Sequence, residues 1–345
     1  MLLGDLGADI IKVERPGAGD ETRGWGPPFD ERGESAYFLS VNRNKLGVVA
    51  DLGLEDGRRL VRRLIDDADI IVDNYRRGAL ERFGLDPARI LAERPGLIWL
   101  TISGFGPESE RAGYDIVVQA EQGWMAITGA ADGPPMRVGV ALVDVVTGKD
   151  AALAILAALV GRAASGRGAR LHVSLAASAT AALVNVAQNT LVSGRDAVRW
   201  GNAHPNLVPY QLFDAADRPM IVAVGNDAQW RALAVALGLD GLAADSLLAT
   251  NAGRLAARAR VVSAVAERLR TRAAAEWSAV LDSAGVPCGV VRTVLEALGS
   301  DAGSPLTGVD PAIPPGRVRR PPPLLDEHGD RIREIGWGAF APEAE

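Results

Sequence analysis

One carboxylate stands in an unexpected place. In RVGVALVDVVTGKDAALAILAAL, residues 137–159, Asp144 lies between Val143 and Val145 inside an apolar run. A carboxylate buried without a partner costs several kcal/mol or more, so this residue either caps a helix or does chemistry. The cap has another claimant. Thr147-Gly148-Lys149-Asp150 fits the pattern in which a threonine bonds the N–H three residues on while the acid reaches back. That spacing predicts a helix over 147–163 and leaves Asp144 one turn ahead of it, facing the positive end of the helix dipole. A carboxylate kept ionised in a dry site there has the properties of a nucleophile.

Other reactive side chains are weaker candidates. His204 sits alone in the loop GNAHPN and reads as structural rather than as a metal ligand. Cys288, the single cysteine, is flanked by strand residues and reads as a buried inert thiol. Glu14 ends an apolar strand as the ribose-binding acid of a dinucleotide site would, but no G-x-G-x-x-G lies upstream, which argues against NAD. Arginines 15, 76, 77 and 82 follow predicted strands or turns, where a guanidinium either binds phosphate bidentately or is simply solvated. The tryptophans are scattered and read as packing, except that Trp25 in TRGWGPP is expected at a cleft.

These residues need a frame. ADIIKVE (8–14), GVVADL (47–52), ADIIVDNY (68–75) and LIWLTISGF (97–105) are compact Ile- and Val-rich runs, with helical patterns such as 54–68 and 84–95 between them. That alternation predicts an α/β fold with a parallel sheet covered by helices, in which ligands bind beyond the carboxyl ends of the strands. Arg15, Asn74, Tyr75, Ser103 and Gly104 occupy those ends. Helices over 115–127 and 176–193 and a strand over 169–175 continue the pattern; 193–211 reads as a linker or functional loop. A second unit follows, with strands 218–226 and 287–291, helices near 227–238, 252–269 and 273–284, a proline-rich extended tail over 303–323 and a short helix near 327–335. The opening MLLGDLGADIIKVE reads as the end of a helix entering a strand, so a preceding first strand is expected to be missing.

The 345 residues carry a net charge of −6 and a pI near 5.3, with no long basic run, which argues against nucleic acid as a partner. There is no stretch of 18 apolar residues and no signal-like start, so neither membrane insertion nor secretion is expected, and one cysteine suits a reducing cytoplasm.

Across nearly its whole length the chain resembles the class III CoA-transferases, the formyl-CoA and carnitine CoA-transferase group. The likeness runs through GDLGADIIKVERPGAGDETRGW (4–25), YFLSVNRNK (37–45), NYRRGALERFG (74–84), SGFG (103–106), GYD (113–115), TGAADGPPMRVGVALVDVVTG (128–148), GRG (166–168), WGNAHPNLVPYQ (200–211) and AGVPCGVV (284–291), in family order. The resemblance implies a Rossmann-like large domain over 1–195 completed by 306–345, a linker and substrate loop over 196–210, a small domain over 211–305, and an interlocked homodimer. It makes Asp144 the nucleophile. CoA contacts fall on Arg15, Ala50, Asp51, Leu52, Gly53, Asn74, Tyr75, Arg76, Arg82, Gly113 and Tyr114, while Ala112 stands where some members carry a lysine. Substrate contacts fall on Gly201, Asn202, His204 and Asn206. Coenzyme A would enter as co-substrate, with acyl-CoA and small carboxylic acids as partners and neither metal nor NAD. No tetraglycine loop is present, and the wording is closer to members acting on succinate or glutarate. Related racemases carry a histidine where Tyr114 stands, and a phenol with pKa near 10 is a poor base at neutral pH. A racemase and a truncated, non-catalytic CoA-binding protein are the alternatives.

Overall fold

The computed structural model describes residues 1–300 and 317–341, so part of the expected tail and the 305/306 domain boundary lie outside the described residues. The described chain is mixed α/β and divides into two compact units. The first takes residues 1–124, 138–189 and the described part of the C-terminal segment; the second takes 125–137 and 190–300.

In the first unit the Ile/Val runs become parallel strands. β1 (Ile11–Glu14) pairs with β2 (Leu46–Val49); β3 (Ile70–Asp73), β4 (Ile98–Ser103) and β5 (Arg170–Ser174) form a separate three-stranded array with β4 central. Ile98, Trp99 and Leu100 are buried on both faces, as a covered parallel strand requires. Removing each such side chain from water contributes about 1.5–3 kcal/mol. The helix Glu55–Asp67 packs Leu64 beside Leu46 and Val48 of β2 and beside Ile332 of the C-terminal helix Gly329–Ile335, so both chain ends share one apolar cluster.

The long helix Leu142–Ser165 is built from Ala and Leu, which form helix readily, and stops at Gly166, whose φ of 69° supplies a left-handed cap. Its start corrects the sequence reading. The helix begins five residues before Thr147, whose hydroxyl bonds back to the Val143 carbonyl, while Asp150 accepts from Ser178 instead of capping. The S/T-x-x-D/E spacing is met equally by a helix interior, where threonine bonds the turn before it. The expected helix over 176–193 is also interrupted: Leu175–Ala181 and Val184–Ser193 are separate, with Val184 at a φ of 42°.

The second unit holds an antiparallel sheet of β6 (Tyr210–Asp214), β7 (Pro219–Ala223) and β8 (Cys288–Val290). β6 begins inside the stretch read as a loop over 193–211, because Tyr210–Asp214 has the alternation of a half-buried strand but follows a Pro/Gly/Asn-rich run. Trp230, Trp277, Leu233 and Leu269 centre its core. Cys288 is only partly buried, and burial raises its pKa, as befits an inert thiol. No single described helix is long and apolar enough to cross a membrane.

Candidate active site

Asp144 occupies the first turn of the helix Leu142–Ser165, not the chain ahead of it. The residue before that helix, Ala141, offers no side-chain cap, and the acceptor comes from elsewhere in the unit. Asp115, in the first turn of the helix Asp115–Glu121, accepts the N–H groups of Val143 at 2.8 Å and Asp144 at 3.3 Å through Oδ1. Its Oδ2 accepts from Gln119 Nε2 at 2.6 Å, and Gln119 Oε1 accepts the Val138 N–H at 2.9 Å.

The Asp144 carboxylate opens onto a cavity of about 900 Å³ made wholly from the first unit. Although the residue is exposed to that cavity, the wall still strips water from it. Burial first, and the charge of Asp115 second, raise its pKa to about 6. The group is therefore largely ionised at neutral pH yet more basic than an ordinary aspartate, a combination suited to attack on a carbonyl. Tyr37 is close enough for Asp144 and Asp115 to raise its own pKa, after burial, and its ring stands edge-on to Trp25 with centroids 5.0 Å apart. Trp25 is 46% exposed, so packing does not account for it.

Part of the wall follows the carboxyl ends of β3 and β4, with Arg170 and His172 of β5 beside them. Asp73 ends β3; its Oδ2 accepts from Trp99 Nε1 at 2.7 Å and Thr101 Oγ1 at 2.8 Å, and its Oδ1 accepts the Tyr75 N–H at 3.0 Å. That carboxylate sets the turn that presents Asn74, Tyr75 and Arg76 to the cavity. Gly113 and Tyr114 line it too. Gly113 must be glycine because its backbone crosses that of Gly104: a Cβ on Gly113 would lie 2.1 Å from the Gly104 Cα. Arg111 is paired with Glu121 and covers Phe105, and Arg77 is paired with Glu108. Among the described residues Arg76 and Arg170 make no ion pair, which leaves both cations available to an anion.

The cavity thus brings together Asp144, Asn74, Tyr75, Arg76, Gly113 and Tyr114. Arg15, Ala50, Asp51, Leu52, Gly53 and Arg82 are not part of its wall. Arg15 is exposed and bonds the Gly19 carbonyl, Asp51 accepts the Gly53 N–H in a turn, Ala50 is buried, Leu52 packs beside Trp99, and Arg82 is exposed. Sequence reasoning missed Asp73, Asp115, Thr101, Arg170 and His172. The first has a signal, an acid at the carboxyl end of a strand in IIVDNY; Asp115 stands in the segment GYD, but its bond across 28 residues to Val143 follows no pattern.

In the second unit, Gly201 takes a φ of 58°, Asn202 is exposed, and His204 Nδ1 accepts the Asn206 N–H at 3.0 Å. Arg258 holds the same loop by the carbonyls of His204 and Pro205, and Asn251 by that of Asn206.

The chain is similar to known proteins over most of its length. The family model for CoA-transferase family III matches residues 1–306. A succinate–glutarate CoA-transferase of Agrobacterium fabrum is 38% identical over 96% of this chain and 89% of its own. Succinyl-CoA:glutarate CoA-transferase of Mus musculus is 38% identical over 96% and 81%. A crystal structure of a CAIB/BAIF family protein from Brucella suis superposes with a TM-score of 0.81 at 40% identity, over 96% of this chain and 93% of that one.

Proposed function

Because this chain belongs to CoA-transferase family III, and is therefore an enzyme of the CoA-transferase type, we propose that it moves CoA between an acyl-CoA and a small dicarboxylic acid through covalent intermediates on Asp144. The observation that carries this reading is a basic carboxylate in the wall of a cavity of about 900 Å³ that is also lined by arginines without an ion pair, Arg76 and Arg170. The Asp144 carboxylate attacks the thioester carbonyl, the C–S bond breaks, and CoA leaves as thiolate from an aspartyl mixed anhydride. The thiolate attacks the aspartyl Cγ, the anhydride C–O bond breaks, and the donor acid departs from an aspartyl-CoA thioester. An acceptor carboxylate then attacks Cγ and expels the thiolate, which attacks the acceptor carbonyl and returns Asp144 as carboxylate. Every step exchanges one acyl bond for another, so no net proton, ATP, NAD or metal enters the balance. Each backbone donor to a tetrahedral oxyanion contributes roughly 2.7–4 kcal/mol.

In this reading Asn74, Tyr75, Arg76, Gly113 and Tyr114 hold CoA along the cavity, and Arg15, Arg82 and the Ala50-Asp51-Leu52-Gly53 turn extend the contact toward its nucleotide. Gly201, Asn202, His204 and Asn206 form the acid-side loop. The names of the Agrobacterium and mouse relatives support succinyl-CoA as donor and glutarate as acceptor. We assign the enzyme to the cytoplasm, with a Rossmann-like large domain and a smaller inserted one, and take it to work as an interlocked homodimer. Leu153 and Val160, 67% and 74% exposed on the long helix, favour a partner chain. Incubation with succinyl-CoA and a panel of C4–C6 diacids, followed by mass spectrometry of the CoA esters, tests the reading. Glutaryl-CoA formation is expected; transfer confined to formyl-CoA, or none from any acyl-CoA, contradicts it.

A further inference from the structure

We propose that Asp115 is a positioning residue for this reaction: it caps the nucleophile's helix from outside that helix, and its charge favours the covalent enzyme–CoA thioester over the free enzyme. The proposal rests on Asp144 being the acyl carrier.

The geometry gives Asp115 two simultaneous tasks. Its Oδ1 takes the two N–H groups at the start of the helix Leu142–Ser165, which has no cap of its own, and so fixes the turn on which Asp144 rides. Its Oδ2 binds Gln119, fully buried, whose other end holds the Val138 N–H of the segment leading into that helix. Asp115 itself does not line the cavity, so it acts through Asp144 and not on substrate.

The charge has a thermodynamic consequence. Loading the enzyme converts the Asp144 carboxylate plus acyl-CoA into aspartyl-CoA plus a free acid. One carboxylate charge stands on each side: beside Asp115 before loading, in solvent afterwards. Repulsion from Asp115 therefore penalises only the unloaded side and drives loading. The raised pKa of Asp144 has the same origin in part. Other titratable groups near Asp144 are Tyr37, and Lys149 and Asp150 further along its own helix, Asp150 being bonded by Ser178; the cavity it faces is lined besides by Tyr114, Glu21, Asp73, Arg76, Arg77, Glu81, Asp86, Glu108, Glu110, Arg111, Arg170 and His172.

The test is Asp115→Asn, with intact-mass measurement of the loaded fraction after acid quench at fixed succinyl-CoA and succinate. The asparagine carbonyl keeps the cap while the charge is removed. The ratio of loaded to free enzyme is expected to fall about 3- to 10-fold, and the acidic limb of kcat/KM to move down by about 0.5–1 pH unit, with KM for acyl-CoA little changed. The introduced amide would set an N–H against the Gln119 amide, so Asp115→Asn/Gln119→Glu restores donor to acceptor and serves if the single variant misfolds. It too is expected to load less, the charge now lying further from Asp144. A folded variant with the wild-type loaded fraction and pH profile overturns the proposal. Failure to find any adduct on Asp144 in the wild type overturns instead the reading on which it rests.

Discussion

At the scale of the residue, Asp144 illustrates a site that works against its own stability. Its pKa is raised from the ordinary carboxylate value to about 6, so the native state binds the proton more tightly than the unfolded chain does. Ionising it therefore costs native stability, a cost absent below the ordinary carboxylate value and fully developed once the pH has risen through about 6. Asp144→Asn is expected to raise Tm at pH 8 and to leave it nearly unchanged at pH 4, as calorimetry at both pH values would show. An equal effect at both would mean that the carboxylate is not desolvated. The sequence singles out this residue by its apolar neighbours and by the family likeness around it, but the cap that supports it cannot be read there, because Asp115 lies 29 positions away and meets the helix through backbone N–H groups.

At the scale of the element, the strands are legible as compact Ile and Val runs, which in β2 and β4 are largely buried, whereas helix starts are not. Thr147 shows why. A threonine three residues ahead of an acid satisfies the cap pattern from a helix interior as well as from a helix start, and only the path of residues 138–141 decides between them. The turn after β3 is expected at a strand end, yet its organiser is not among the residues that the pattern singles out. Asp73 ties β3 to Trp99 and Thr101 of β4 and holds the Tyr75 N–H. Asp73→Ala leaves the indole N–H of a residue only 1% exposed without its acceptor, a loss of about 1–3 kcal/mol that urea unfolding would register. The freed turn should also raise KM for acyl-CoA, with kcat less affected. Unchanged KM would separate the turn from CoA binding.

At the scale of the whole molecule, the long-range ties are the part that sequence patterns hide. Arg23 sits between Glu14 and Glu34 at 2.7 and 2.6 Å, all three buried, and also donates to the Pro323 carbonyl, joining segments 300 residues apart. Removing one partner from such a group leaves an uncompensated buried charge, which is why the network fixes the returning chain. Asn44 adds to this by accepting the N–H groups of Arg319 and Arg320. None of these contacts follows a period or a motif, whereas the family likeness, spread through many short segments, is readable throughout. The central proposal is that the Asp144 carboxylate becomes covalently loaded. The most direct measurement is to incubate the enzyme with succinyl-CoA, trap with hydroxylamine and map the product by peptide mass spectrometry. A hydroxamate on Asp144, absent from Asp144→Ala along with turnover, is predicted; sustained transfer with Asp144 unmodified, or by the alanine variant, would contradict the account.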